Sequence, residues 1–261
     1  NLTQDHLDYH GDMEEYYKAK KLLFSRCDTA LINTDDEYGK RLYSEISCDK
    51  RSFSTEEKAD YYADDITVTQ DKLCYNLIGK EHNLSVSLGM TGKFNIMNSM
   101  QAAAACLEIC IPEEKVSSAL STVSGVKGRC EIIPTGKDYT VICDYAHSPD
   151  GIKNILSSLK PFAENRLVCL FGCGGDRDKT KRPLMAKAAA EYADKLIITS
   201  DNPRNEEPSD IIDDILEGLK NSSVPYDIVE NRRDAIKHAL VTGEKGDIIV
   251  LAGKGHEDYQ I

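Results

Sequence analysis

Four short polar runs hold the residues whose types and spacing suit chemistry. In Gly172-Cys173-Gly174-Gly175-Asp176-Arg177-Asp178-Lys179 the glycines let backbone N–H groups approach an anion, while Arg177 and Lys179 supply positive charge. The same glycines also suit a plain strand-to-helix turn, which needs their conformational freedom with no ligand at all. Asp201-Asn202-Pro203-Arg204 offers a carboxylate, an amide and a guanidinium from one proline-stiffened loop. That mixture suits a zwitterion, because aspartate receives an ammonium and arginine holds a carboxylate by two parallel hydrogen bonds. The alternative there is an Asx-Pro turn with a surface arginine. Gly253-Lys254-Gly255-His256-Glu257 again permits close backbone approach, and Glu257 can accept a second ammonium; a tight turn explains it as well. Asp144-Tyr145-Ala146-His147 puts an aspartate where it can bind ribose hydroxyls, or simply ends a strand in water.

Nearer the start, Asp5-His6-Leu7-Asp8-Tyr9-His10 has residue types that bind metals, and Lys20 lies on the helix that follows. Asn95 and Asn98 stand one helical turn apart at the head of an alanine-rich helix, where capping alone accounts for them.

The elements that must position these runs are legible from periodicity. After Pro134, apolar strands at 140–143, 167–171, 195–199, 226–229 and 247–251 alternate with four helices, which begin after Ser148-Pro149-Asp150, after Arg182-Pro183, after Pro208-Ser209 and at Arg232. Such alternation predicts a mostly parallel, Rossmann-like sheet covered on both faces, with ligands beyond the carboxyl ends of the strands. Each of the four polar runs falls at such an end. The first 125 or so residues read as the back part of another α/β domain. There the pattern predicts a helix around 13–24, a strand ending in Asn33-Thr34-Asp35-Asp36, antiparallel strands over 66–87 and a small-residue helix over 95–111. A boundary is expected near Gly125–Gly128, giving domains 1–127 and 128–261.

Composition narrows the partners. Of 261 residues, 41% are hydrophobic and 29% charged, the mark of an ordinary globular chain. The formal charge of −12 argues against nucleic acid or an acidic membrane surface, so an anionic ligand must meet local, placed cations. The apolar runs are too short to span a bilayer. Nine cysteines form no paired framework, and Cys106/Cys110 and Cys169/Cys173 lack histidine partners for zinc, so reduced thiols in a cytoplasm are expected.

In order and spacing, the 5–11 run, the 172–182 loop, the 201–204 quartet and the closing 253–260 run together resemble the Mur ligases, in particular the branch that adds diaminopimelate. The resemblance spans essentially the whole chain. It implies a partial central ATPase domain followed by a Rossmann-like C-terminal domain. It also implies an ADP-forming ligase using ATP and Mg2+, in which the terminal D-glutamate carboxylate of UDP-MurNAc-dipeptide is phosphorylated and then attacked by the amine of meso-diaminopimelate. A carboxylate is inert to amines until one oxygen becomes a good leaving group, which is the physical need that the phosphoryl group meets.

Residue by residue, the resemblance implies that Lys20 is carbamylated as an oxygen donor to magnesium and that His6 is a histidine ligand of the same metal. Asn95 and Asn98 fall where the family contacts adenine, Arg129 where it reaches the nucleotide phosphates, and Asp144 and His147 at the ribose region. Arg177, Asp201, Asn202, Pro203, Arg204, Gly253 and Glu257 fall where it holds meso-diaminopimelate. Lysine lacks the distal carboxylate, so Arg204 would separate the two amino acids by roughly 2–5 kcal/mol. The family's Gly-x-x-Gly-Lys-Thr loop, its acidic magnesium ligand and its uridine-binding domain would precede Asn1, and the family continues past Ile261. A polypeptide that cannot complete catalysis alone, and that is monomeric, is therefore expected. The alternatives are a non-catalytic remnant that binds diaminopimelate or nucleotide, and another ligase of the Mur or folylpolyglutamate type.

Overall fold

A computed structural model describes residues 2–3, 7–69 and 72–261, which fall into two compact units, 1–124 and 125–261. The first unit runs α1 (Leu7–His10), α2 (Met13–Lys21), β1 (Thr29–Asn33), α3 (Glu37–Glu45), β2 (Asp49–Ser54), β3 (Tyr61–Val68), β4 (Leu73–Gly79), β5 (Asn83–Leu88), α4 (Phe94–Glu108) and α5 (Glu113–Ser121). Its five strands lie in chain order, with β1, β2 and β3 parallel and β3, β4 and β5 antiparallel. Leu73, Tyr75 and Leu77 on β4 and Leu84, Val86 and Leu88 on β5 are buried, the period of two that a one-faced sheet demands. Against them α4 lays Ile96, Met100, Ala103, Ala104 and Leu107, a stripe at helical spacing whose small members let the helix lie close.

The helix expected over 13–24 stops at Lys21, and Leu22–Ser25 form a 3-10 turn. Leu22 and Leu23 are two-thirds exposed, so no packing holds that last turn in α geometry.

The second unit runs β6 (Glu131–Ile133), β7 (Thr140–Asp144), α6 (Pro149–Leu159), β8 (Leu167–Phe171), α7 (Lys181–Tyr192), β9 (Lys195–Ile198), α8 (Pro208–Leu216), β10 (Tyr226–Ile228), α9 (Arg232–Val241) and β11 (Ile248–Ala252). Its six strands lie in the order β10-β9-β8-β11-β7-β6, parallel throughout except for the β6–β7 pair. All five residues of β8 are buried, which is why the strand reads as an unbroken apolar run. Each such Leu, Val or Phe contributes about 1.5–3 kcal/mol when fully buried. Helix starts are marked locally: Ser148 accepts from the Gly151 N–H at 3.1 Å with Pro149 in the first turn, and Asn231 accepts from the Asp234 N–H at 3.1 Å. The α/β pattern with a mostly parallel second sheet agrees with the sequence expectation; β6 is an addition to it. Among the described residues no helix is long and apolar enough to cross a membrane.

Candidate functional site

Because β7, β8, β9 and β11 are parallel, their carboxyl ends share one edge, and the four polar runs leave from it. Glycine lets the β8 and β9 loops press together. A β-carbon on Gly172 would stand 2.2 Å from the Thr199 carbonyl oxygen, and one on Gly175 would stand 1.9 Å from that of Pro203. The Gly175 N–H donates to the Asn202 carbonyl at 2.8 Å.

The glycine loop does receive an anion, and that anion belongs to the chain itself. The Asp176 N–H donates to Glu206 Oε1 at 2.6 Å. The fully buried Arg182 grips the same carboxylate with Nη1 at 3.0 Å and Nη2 at 2.8 Å, and Lys179 stands at 2.9 Å. Arg182 also donates to the Gly174 carbonyl at 3.2 Å and to Asp214 at 2.8 Å. The Arg182 guanidinium holds the Glu206 carboxyl well below the usual carboxylate range, with Lys179 next in effect. Arg182 and Glu206 thus lock the β8 loop to the β9 loop, a role that sequence reasoning missed.

Arg204 projects from this lock. Its Nη1 donates to the Gly175 carbonyl at 2.7 Å and lies 3.4 Å from that of Asn202, its backbone N–H donates to Ile261 O at 3.2 Å, and its guanidinium has no carboxylate partner among the described residues. Its backbone is left-handed, with φ of 54°. Arg177, beside Gly174, is exposed. Asp201 and Asn202 are buried, and Gly253, at φ of 105°, leaves room against Asp201: a β-carbon there would stand 3.0 Å from Oδ2. Lys254, also missed in the sequence, reaches Asn202 Oδ1 at 2.6 Å, Asp201 Oδ1 at 3.4 Å and Glu257 Oε2 at 3.5 Å. Glu257 is further held by the Tyr145 hydroxyl at 3.0 Å. The one available signal was a lysine between two glycines at the end of an apolar strand.

Asp144 is buried and accepts the Cys130 and Ala146 N–H groups, each at 2.7 Å, while its own carbonyl receives Gly253 and Gly255. Burial pushes its carboxyl up, against the pull of those two N–H groups. Arg129 is exposed and lies over the Tyr145 ring, 4.4 Å from its centroid; His147 Nδ1 is 2.8 Å from the Tyr145 carbonyl. Arg129, Asp144 and His147 therefore gather around the β7 end.

In the first unit, Lys20 is exposed near the end of α2, 5.4 Å from the Tyr16 ring centroid, and borders a cavity of about 360 Å3 with Asn33 and Asp36. His6 lies outside the described residues. His10 stacks on Tyr16 at 4.7 Å, a packing role. Asn95 is buried and donates to the Thr91 carbonyl at 2.7 Å; the exposed Asn98 donates to Asn95 Oδ1 at 3.3 Å. Among the described residues no group of three or more His, Cys, Asp or Glu side chains could hold a metal ion.

Comparison with known proteins agrees with this architecture. A family described as "Mur ligase middle domain" matches residues 1–106, and one described as "Mur ligase, glutamate ligase domain" matches residues 128–255. All of the chain aligns, at 47% identity, with 54% of UDP-N-acetylmuramoyl-L-alanyl-D-glutamate--2,6-diaminopimelate ligase 1 of Clostridium acetobutylicum. A solved structure of a UDP-N-acetylmuramoyl-L-alanyl-D-glutamate--2,6-diaminopimelate ligase is 34% identical with a TM-score of 0.59, over 99% of this chain and 54% of that one. Mycobacterium tuberculosis folylpolyglutamate synthase shares the fold at 20% identity, with a TM-score of 0.76 over 96% of this chain and 59% of that one. The chain spans about half the length of the curated relatives it matches.

Proposed function

The chain belongs to the Mur ligase family, and from that premise we propose that it is the amino-acid-receiving part of an ATP-dependent ligase that joins meso-diaminopimelate to UDP-N-acetylmuramoyl-L-alanyl-D-glutamate in peptidoglycan building. One observation carries the choice of amino acid. Arg204 is a half-buried guanidinium with no internal counter-ion among the described residues, anchored through Nη1 to a carbonyl so that its other nitrogens stay available. A cation held that way at a strand-end crevice is poised for an external carboxylate, and a planar fork matches one bidentately.

In this reading Arg204 takes the distal carboxylate of diaminopimelate and Asp201 and Glu257 face its ammonium. Asn202, Pro203 and Gly253 shape the wall, and Arg177 takes the second carboxylate. Keeping the distal end fixed leaves the other amine free to act as nucleophile. ATP supplies the phosphoryl group that turns the acceptor carboxylate into a leaving group. Asn95 and Asn98 in the middle domain, taken to end at residue 127, and Arg129, Asp144 and His147 in the C-terminal domain, are the residues proposed to meet the nucleotide. Asn98 has a free amide edge for a base, and Arg129 is exposed for phosphate. Among the described residues around Lys20, no group of three or more His, Cys, Asp or Glu side chains is assembled to hold Mg2+.

The folylpolyglutamate reading shares this fold, and glutamate also carries a second carboxylate, but its single amine is the nucleophile, so it would leave Asp201 and Glu257 with no ammonium to receive. Titration calorimetry of the chain with meso-diaminopimelate and with L-lysine tests the proposal. Diaminopimelate is expected to bind at least thirtyfold more tightly, about 2 kcal/mol. Equal binding, or none, overturns it.

A further inference from the structure

Lys254 is the least expected charge in the C-terminal unit. Only a tenth of its side chain is exposed, and its ammonium enters the space between the β9 and β11 loops. There Nζ donates to Asn202 Oδ1 at 2.6 Å and to the Tyr259 carbonyl at 2.9 Å, with Asp201 Oδ1 at 3.4 Å and Glu257 Oε2 at 3.5 Å. A buried ammonium persists only where anions and acceptors replace its water, so the cation and these oxygens fix one another. Three of the four acceptor groups, Asp201, Asn202 and Glu257, are side chains assigned above to the amino-acid pocket.

A second cation backs the same carboxylate. Arg232 is buried, donates to the Ala252 carbonyl at 2.7 Å through Nη2, and has no hydrogen-bond partner for Nη1 among the described residues. A β-carbon on Gly253 would lie 3.0 Å from Asp201 Oδ2 and 4.0 Å from Arg232 Nη2, so the glycine opens one gap bordered by both. Without a cation between them, Asp201 and Glu257 would repel each other and turn to solvent.

Resting on the pocket reading above, we propose that Lys254 is its positioning residue: an internal ammonium that holds Asp201, Asn202 and Glu257 in the array that receives the amino acid. Two substitutions separate charge from bulk. Lys254→Met keeps the volume and removes the charge. Lys254→Ala leaves a hole that fits a small primary ammonium ion, which the chain does not hold covalently.

The test is calorimetric binding of meso-diaminopimelate to the wild-type chain, K254M and K254A, with n-propylammonium chloride or an equal concentration of KCl. Both variants are expected to bind at least tenfold more weakly. Propylammonium is expected to recover a severalfold part of the loss in K254A and to leave K254M and the wild type unchanged, which lost packing alone would not produce. Undiminished affinity in K254M, or no recovery in K254A, overturns the proposal. A wild-type chain that ignores diaminopimelate overturns the pocket reading instead, and the unfolding midpoint then decides on Lys254 with no amino acid present. A K254A midpoint that falls and is restored by propylammonium supports the internal cation; one that does not respond overturns it.

Discussion

Arg204 Nη1 donates to the carbonyl oxygen of Gly175 at 2.7 Å, and a β-carbon on the adjoining Gly174 would stand 2.9 Å from the same nitrogen. The arginine is thus aimed by two glycines that precede it by about thirty residues. Gly174→Ala displaces the end of a flexible side chain, so the fold is expected to survive while the guanidinium shifts. Calorimetry should give about a tenfold loss of diaminopimelate affinity, near 1.4 kcal/mol, with lysine binding unaltered. Gly175→Ala meets the Pro203 carbonyl at 1.9 Å, and backbone cannot swing aside. Urea unfolding is expected to show a loss of about 1–3 kcal/mol for that variant.

Removing the fork itself is the sharper experiment. Arg204 sits at φ of 54°, so most replacements would mix a lost charge with an altered left-handed backbone. Asparagine tolerates that region, which makes Arg204→Asn the cleanest neutral variant. Its affinity for diaminopimelate is expected to drop at least thirtyfold, about 2 kcal/mol, to the level of lysine. Arg204→Lys restores a point charge without the planar pair of donors and is expected to recover less than half of that energy. A preference for diaminopimelate that survives in R204N would remove Arg204 from the pocket.

The parallel strands were legible because β8 and β11 are apolar along almost their whole length, and only a strand covered on both faces needs that. The polar runs at their ends followed from topology. What stayed hidden were elements and contacts without a local signature. β6 is only three residues, two of them half-exposed isoleucines, and α3 is a short, mostly polar helix with no buried residue, so neither stands out as an apolar segment. Arg182, Glu206 and Lys254 read as surface by type. Their burial is decided by partners 24 and 52 positions away, and no spacing rule reports that. The glycine loop shows the same limit from the other side: its form announced an anion, but not that Glu206 would supply it.

Cys27 and Cys48 lie with their sulfurs 3.7 Å apart, just before the paired strands β1 and β2. Burial, and then the neighbouring Cys48 thiol, push the Cys27 thiol up, which keeps it protonated and slow to react near neutrality. Diamide is expected to link the two ever faster as pH rises past 9, where an ordinary thiol with a pKa of about 8.5 has largely levelled off, as peptide mapping would reveal, and Cys27→Ser to abolish the product. A rate that levels off by pH 9 would contradict the raised thiol.

The Arg182–Glu206 pair makes a pH-dependent prediction whose sign follows from its geometry. Arg182 has none of its side chain exposed and Glu206 only 15%, so screening by water is slight. Because the carboxyl is held below its ordinary value, the folded state favours the ionised form. Its contribution is complete above the unfolded value, near 4.3, and is lost as pH falls through the lower folded value. Glu206→Gln leaves Arg182 buried with Asp214 as its remaining acid, so the loss at pH 7 is expected at the lower end for a broken buried pair, about 3 kcal/mol. The difference between the wild type and E206Q in urea should stay constant from pH 7 to 5 and narrow steadily below pH 4, as the unfolded wild type takes up a proton at Glu206 that the folded protein and the variant do not bind. A difference that widens on acidification would mean that the pair is not what joins the two loops.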